Sequence, residues 1–338
     1  MGRFFNKIVY WGNLLAAFLL LISFVLPYLS PKTFPTLSLM SLFVSLLIIL
    51  NIIFAIYWAI QLRAKFFLSF TLLVISYFYF NVFYEVSAEG DARKYKNTLS
   101  VLSYNVRLFN AYEKDPDTDA IKIISEILTE QDPDVVCIQE YYKPNTIDFA
   151  GYPYKYIHFK SDRAKLGHAY FSKYPLINTG AFDFEGTYNN TLFADVVKGS
   201  DTIRIYNVHL QSMGIIPRVR FLQETDNEKL RRRISSAFKK QQIQVDAILE
   251  HQKNTKNRIL VCGDFNNTPF SYSYRMLKNG TQDAFRERGN GLGTTFEFDK
   301  FPMRIDYILA SKGLDILSFE TINKTFSDHR AVRATVGW

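Results

Sequence analysis

Cysteine is nearly missing from this chain. Cys137 and Cys262 are the only two, so a disulfide-built scaffold is excluded. No cluster of cysteines and histidines has zinc-ligand spacing. No serine or cysteine sits in a GxSxG or Cys/His setting that would mark a nucleophile. There is no internal repeat, and 48% hydrophobic residues exclude a disordered or collagen-like chain. Charge of one sign is also scarce. The formal net charge is +8 over 338 residues. Half of it lies in residues 1–85, where Arg3, Lys7, Lys32, Arg63 and Lys65 face Glu85 alone. The +4 left for the remainder is too little to argue nucleic-acid binding from charge.

Charge is wholly missing from three stretches, residues 8–31, 33–62 and 66–84. A membrane span needs roughly 20 apolar residues, and each stretch is of that order. Three such runs within 85 residues would leave nothing to cover them in a soluble hairpin. The first is followed by no small-residue cleavage site, which argues against a signal peptide. Residues 1–85 are therefore expected to form an all-α transmembrane anchor of three helices, with the lipid bilayer as partner. Lys and Arg near the span ends place the N-terminus (Arg3, Lys7) and the second loop (Arg63, Lys65) inside. Three spans then put the rest of the chain on the outer, periplasmic side of a bacterial-type cytoplasmic membrane, although Arg93, Lys94 and Lys96 pull the other way. No ionisable residue lies within the spans, which argues against a transporter or channel. No obligate protein partner is inferred.

A charged linker, residues 86–97, precedes a domain at 98–338. Its pattern is α/β. LSVLSYNV opens as a strand, residues 118–131 show apolar spacing of a helix (Ile121, Ile124, Ile127, Leu128), and DVVCIQ is a strand again. Later runs are mostly strands, interrupted by one long helix over about 225–252 with Ile234, Phe238, Gln241, Val245 and Ile248 as its inner stripe. This composition predicts a mixed sheet, or two packed sheets with helices outside. By alternation, Cys137 and Cys262 fall on different faces relative to the polar residues that end their strands. They are expected to be two small buried thiols with no bond between them.

The informative polar residues end apolar strands. Asn105 ends VLSYN, Glu140 ends DVVCIQE, Asn207 and His209 lie late in TIRIYNVHL, and Asp264 and Asn266 end RILVCGDFN. Asp306 opens DYIL, and Asp328 and His329 precede the last strand. Buried carboxylates and imidazoles are costly unless paired or bound to a cation. Their recurrence at comparable positions points to one rim, where ligand sites of α/β sheets lie. Glu140, Asp328 and the Asn105 amide are hard oxygen donors suited to Mg²⁺ or Mn²⁺. With no side-chain nucleophile evident, water is the expected attacking group in a metal-assisted hydrolysis.

SYNVR, DVVCIQE, YNVHL, GDFNNTP, RIDYIL and SDHRAV together resemble, in order and spacing, the endonuclease/exonuclease/phosphatase superfamily. That superfamily includes deoxyribonuclease I, abasic-site endonucleases, neutral sphingomyelinases and inositol polyphosphate 5-phosphatases. GHAYFSKYPL looks like another of its strands. The resemblance spans about residues 98–338. It implies a four-layered α/β sandwich, two packed mixed sheets flanked by helices, and divalent-metal hydrolysis of a phosphate ester, whether nucleic acid or a lipid or sugar phosphate. It also implies roles: Glu140 as main metal ligand with Asn105 beside it and Asp328 as a second ligand, Asp264 and Asn266 on the water, His209 at the phosphate or leaving group, and His329 paired with Asp306. Arg107 stands where abasic-site endonucleases carry an acid, which counts against that identity and makes Arg107 a substrate-binding candidate. Asn207 and His168 are further substrate-binding candidates. A catalytically inactive binding module on the same fold is the alternative. The basic run LRRRISSAFKKQ reads first as a solvated outer helix face, with lipid headgroups and a phosphodiester backbone as further readings.

Overall fold

The computed structural model describes residues 2–80, 84–113, 119–142, 147 and 149–338. Three apolar helices come first: α1 (Gly2–Ser23), α2 (Val44–Ile60) and α3 (Phe66–Phe80). With their flanking turns, the first two runs form stretches of 25 and 26 residues, Phe4–Tyr28 and Pro35–Ile60, long and apolar enough to cross a membrane. The third does not reach that length. Its helix has 15 residues, or about 22 Å at 1.5 Å per residue, against a hydrocarbon core of ~30 Å. Positions 81–83 of that run lie outside the described residues. The expectation of three spans is thus corrected to two candidate spans, and the argument from an odd number of spans for an outward-facing domain loses its premise.

α3 still packs on α1 and α2 through a buried polar network. Asn13 Nδ2 donates to Ser69 Oγ (2.6 Å), Ser69 Oγ donates to Asn51 Oδ1 (2.9 Å), and Trp58 Nε1 donates to Asn13 Oδ1 (3.0 Å). The outer faces carry exposed Trp11, Phe18, Ile53, Ile56 and Phe78. Apolar outside and hydrogen-bonded inside is the arrangement that suits helices in lipid.

Among the described residues, twelve strands build two six-stranded sheets. They are β1 (Thr98–Asn105), β2 (Val135–Tyr142), β3 (Tyr154–Phe159), β4 (Leu166–Ser172), β5 (Leu176–Phe182), β6 (Thr191–Lys198), β7 (Asp201–His209), β8 (Arg258–Asp264), β9 (Thr281–Asp283), β10 (Asp306–Ser311), β11 (Asp315–Thr321) and β12 (Val332–Gly337). Sheet one runs β11-β12-β1-β2-β4-β3 and sheet two runs β9-β10-β8-β7-β6-β5. Each contains one parallel pair, β1 with β2 and β7 with β8, among antiparallel neighbours. A shared apolar layer joins their inner faces, with Val101, Val135 and Tyr170 meeting Ala194, Ile205 and Leu260. Helix α4 (Ala120–Gln131) covers sheet one through Ile124 and Ile127. Helix α5 (Asn227–Gln252) covers sheet two through Val245 and Ile248. The expected two mixed sheets flanked by helices are present.

Both helices start where the sequence supplies a cap. Asp119 accepts from the Lys122 amide and Asp226 from the Lys229 amide, each satisfying a donor that the first turn leaves free. The expected inner stripe of α5 is buried at all five positions. On α4, Ile121 is exposed while Ile124, Ile127 and Leu128 are buried. The charged linker is tied down: Glu85–Val86 pairs with Asn290–Gly291, the Gly90 amide donates to Leu317 O, and Tyr95 Oη donates to Asp315.

The N-terminal helices rest directly on the domain. Phe270 joins the core of α1–α3 against Phe80. Thr268 Oγ1 donates to Ser41 O, Ser30 Oγ donates to Gln242, and Lys32 pairs with Asp246 at 2.7 Å.

Candidate active site

The rim is assembled from the ends of β1, β2, β7 and β8, the start of β10, and the turn before β12. In sheet two the assembly is simple. β7 and β8 are parallel and in register, so His209 lies beside Asp264, and Asp306 of antiparallel β10 lies beside Asp264 on the other side. Gly263 permits this closeness. Its φ is +134°, and a Cβ there would lie 1.9 Å from Val208 O, so another residue would force the two strands apart. Sheet one reaches the same rim differently. Asn105 is in register with Gln139, and a register shift between Ile138 and Tyr141 advances Glu140. Glu140 has φ +54°, an uncommon conformation for a non-glycine residue that clusters at functional sites. The bulge also resets the strand's alternation. Cys137 and Cys262 therefore face the same layer between the sheets, both buried and free. The expectation of opposite faces is corrected, and the expectation of two unbonded buried thiols holds.

The side chains form one connected group. Asn105 Nδ2 donates to Asp264 Oδ2 (3.0 Å) and Glu140 Oε1 (3.4 Å). The Arg107 amide donates to Asn105 Oδ1 at 3.0 Å and fixes the Asn105 side chain. His209 Nε2 lies 3.7 Å from both Glu140 and Asp264. His329 Nδ1 is 3.0 Å from Asp306 Oδ2, and its Nε2 is 3.7 Å from Asp264 Oδ2. Asn266 donates to Asp264 Oδ2 and to Leu210 O, both at 3.0 Å. Among the described residues, Asp264, Asp306 and His329 offer ligand atoms within 4.8 Å of one another.

The two histidines differ in charge. Burial pushes His209 down to about 4, with His329 adding to the shift and Asp264 opposing it. His209 is neutral at pH 7. Burial would lower His329 as well, but the Asp306 and Asp264 carboxylates outweigh it and hold the ring at about 10. His329 is therefore the cation of the site. Burial raises Asp264 to about 6, against the pull of His329. Burial also raises Glu140, with the Asp328 charge adding to it and His329 opposing. Buried, clustered carboxylates of this kind are relieved by a hard divalent cation, so the donor set suits Mg²⁺ or Mn²⁺.

Asn105, Arg107, Glu140, Asp264, Asn266, Asp328 and His329 line one cleft of about 650 Å³. Arg107 is half exposed there, paired with Glu113 at 2.7 Å. Two substrate-binding candidates lie behind the rim. Asn207 accepts from Gln139 Nε2 (2.6 Å) and donates to Ile138 O and Ala169 O. It ties the two sheets together and is fully buried. His168 Nε2 lies 3.3 Å from His209 Nδ1. Burial, with His209 adding, holds His168 well below its ordinary range. Sequence reasoning missed Gln139, Thr295 and Phe296. Thr295 Oγ1 accepts from the Ile305 and Asp306 amides, and Phe296 packs 5.0 Å from the His329 ring. Only Gln139, a polar residue in an apolar strand, carried a signal.

Comparison with known proteins gives the same frame. Residues 6–83 match the profile of a Domain of unknown function (DUF8431). No curated protein matches the chain. Many solved structures share the fold, three of which serve as examples. TDP2 of D. rerio, complexed with single strand DNA product, is 17% identical with a TM-score of 0.53, covering 72% of this chain and 100% of that one. Truncated Caenorhabditis elegans TDP2 is 18% identical with a TM-score of 0.52, covering 71% and 98%. An endonuclease/exonuclease/phosphatase from Beutenbergia cavernae DSM 12333 is 17% identical with a TM-score of 0.51, covering 72% of each chain. The profile of the Endonuclease/Exonuclease/phosphatase family matches residues 102–329, from β1 through the turn that holds His329, and the chain belongs to that family, whose members are generally hydrolases of phosphate esters.

Proposed function

We propose that this chain is a membrane-anchored, divalent-metal-dependent phosphoesterase, with residues 1–85 as anchor, 86–97 as connection and 98–338 as catalytic domain. The observation that carries the reading is the convergence of Asn105 and Glu140 from one sheet with His209, Asp264 and Asp306 from the other around a cationic His329. A catalytically inactive binding module would have no use for a buried cation flanked by two buried carboxylates, a costly arrangement.

Glu140, with Asp328 across the cleft and Asn105 beside it, is the donor set that would hold Mg²⁺ or Mn²⁺. When bound there, the ion would supply Lewis-acid polarisation of a phosphate oxygen. The chain supplies the rest. Asp264, its carboxyl near 6, takes a proton from water, and Asn266 orients that water beside it. The water oxygen bonds to phosphorus, and the bond from phosphorus to the leaving oxygen breaks. His329, held by Asp306, carries the proton and positive charge that the phosphate and leaving oxygen need. Neutral His209 orders Glu140 and Asp264, and Arg107 offers a cation at the cleft mouth.

Turnover of bis(4-nitrophenyl) phosphate by the full chain in detergent tests this. Release of nitrophenolate should need Mg²⁺ or Mn²⁺, stop with EDTA, and be lost in His329→Ala. Metal-independent release, or release unchanged in the variant, would refute the reading.

A further inference from the structure

The cleft does not end at the polar rim. The same 650 Å³ space continues along an apolar wall contributed by distant parts of the chain. The anchor supplies Leu39, Leu42, Phe43 and Leu46, at the N-terminal end of α2 nearest the domain. The short helix Val219–Glu224 supplies Val219 and Leu222, and the hairpin Phe296–Met303 supplies Phe298 and Phe301. Phe43, Leu46 and Val219 are exposed. Apolar surface of this kind in a cleft marks a place that a ligand covers.

The charges of the cleft argue against a polyanion as that ligand. Arg107 is paired with Glu113 and lies 3.9 Å from Asp328. Arg231 is paired with Glu228 and donates to Thr36 Oγ1 of the anchor. A nucleic-acid strand needs a row of cations for successive phosphates, and the wall here is hydrocarbon. One phosphate at the polar end and one hydrocarbon tail along the wall fit the chemistry of both ends. The anchor wall also lies where the first and second apolar helices are joined. That segment is fixed to α5 by Ser30, Lys32 and Thr36. A tail passing from the bilayer to the cleft therefore stays beside apolar side chains.

We propose that the substrate is a membrane lipid bearing a phosphate ester, its tail along Leu42, Leu46, Leu222 and Phe301 and its phosphate between Glu140, Asp264 and His329. This rests on the phosphoesterase reading above and names its substrate class. The anchor is then part of the substrate site as well as a tether.

The test uses the full chain in phosphatidylcholine nanodiscs with Mg²⁺. Alkyl 4-nitrophenyl phosphates with methyl, octyl and hexadecyl tails are compared, and a phosphatidic acid with a diazirine at the tail end is photolysed on the wild-type protein. We expect kcat/KM to rise at least tenfold from methyl to hexadecyl. The hexadecyl-to-methyl ratio should fall at least fivefold in Leu222→Asp. Carbene adducts should appear on the Val219–Leu230 and Phe296–Met303 peptides and be competed by hexadecyl phosphate. Equal turnover of all tails, with adducts only on outward residues such as Trp11 and Ile53, would overturn the lipid and leave the phosphoesterase standing. Nicking of supercoiled plasmid faster than hexadecyl-ester hydrolysis would likewise overturn it in favour of nucleic acid. A labelled cleft with no turnover of any ester would overturn the enzymatic reading and the lipid's status as substrate together. The photolabel reads the wild-type chain, so a misfolded variant does not blunt the test.

Discussion

The two sheets share one plan and diverge at their rims. Each has six strands with a single parallel pair inside it. In sheet two that pair ends flush, with His209 beside Asp264, and an antiparallel neighbour adds Asp306. In sheet one it ends on a bulge that advances Glu140 beyond Gln139, the register partner of Asn105. In the proposed mechanism, the flush end supplies the groups that move or balance protons, and the bulged end supplies the carboxylate for the metal. One architecture would then serve two chemical tasks, separated by one residue of register.

Substitutions at the two rims should break this comparison in different ways. The largest effect belongs to sheet two: Asp264→Asn or His329→Ala should lower kcat by about 10³-fold at saturating Mg²⁺, read as nitrophenolate release. A loss repaired by more Mg²⁺ would place the metal on that sheet instead. Next comes the body of sheet two, away from its rim. Arg204 and Asp195 form a buried ion pair across β6 and β7. Arg204→Met strands the carboxylate and should cost about 3 kcal/mol in denaturant unfolding. That pair also sets an acid limit. Burial would raise Asp195, but the Arg204 and Asn178 hydrogen bonds outweigh it and hold it below its ordinary value. Its stabilisation is present above the unfolded pKa of ~3.9 and is lost as pH falls below it, whereas Asp195→Asn should flatten that acid-side fall.

Much of this was legible in the strands themselves. Asn105, Glu140, His209 and Asp264 stand out because each is a polar residue near the end of an apolar run, His329 because it stands just before one, and the inner stripe of α5 follows from helical spacing. The bulge was not legible. Alternation assumes an unbroken pleat, and one extra residue at Glu140 moved Cys137 to the face that parity denied it. Nor was the cleft's apolar wall, because Leu42 and Phe301 come to line one cleft only through the packing of the N-terminal helices on the domain. Composition marked the third apolar run as a span, yet among the described residues its helix covers only Phe66–Phe80, since hydropathy reports what a segment tolerates and not how much of it is helix. Asn207 read as a site residue from its position beside His209, yet its amide faces inward.

A smaller effect sharpens the link between the sheets. Asn207→Ala removes one partner of Gln139, which keeps Ser103 Oγ, and one partner of two carbonyls, and should cost about 2 kcal/mol of stability, with the Mg²⁺ requirement unchanged. The smallest belongs to the exposed face of α5. Arg232→Ala removes an exposed pair with Glu228 and should shift stability by less than about 0.5 kcal/mol. A large loss there would mean that the helix carries more than solvated charge.

The central claim, that the bulged rim holds the metal and the flush rim moves the protons, is tested most directly by titrating Mg²⁺ into the full chain and into Glu140→Gln while following bis(4-nitrophenyl) phosphate turnover. The account predicts that Glu140→Gln shifts half-maximal activation to at least tenfold higher Mg²⁺. An unchanged Mg²⁺ requirement, with only the maximal rate reduced, would contradict it.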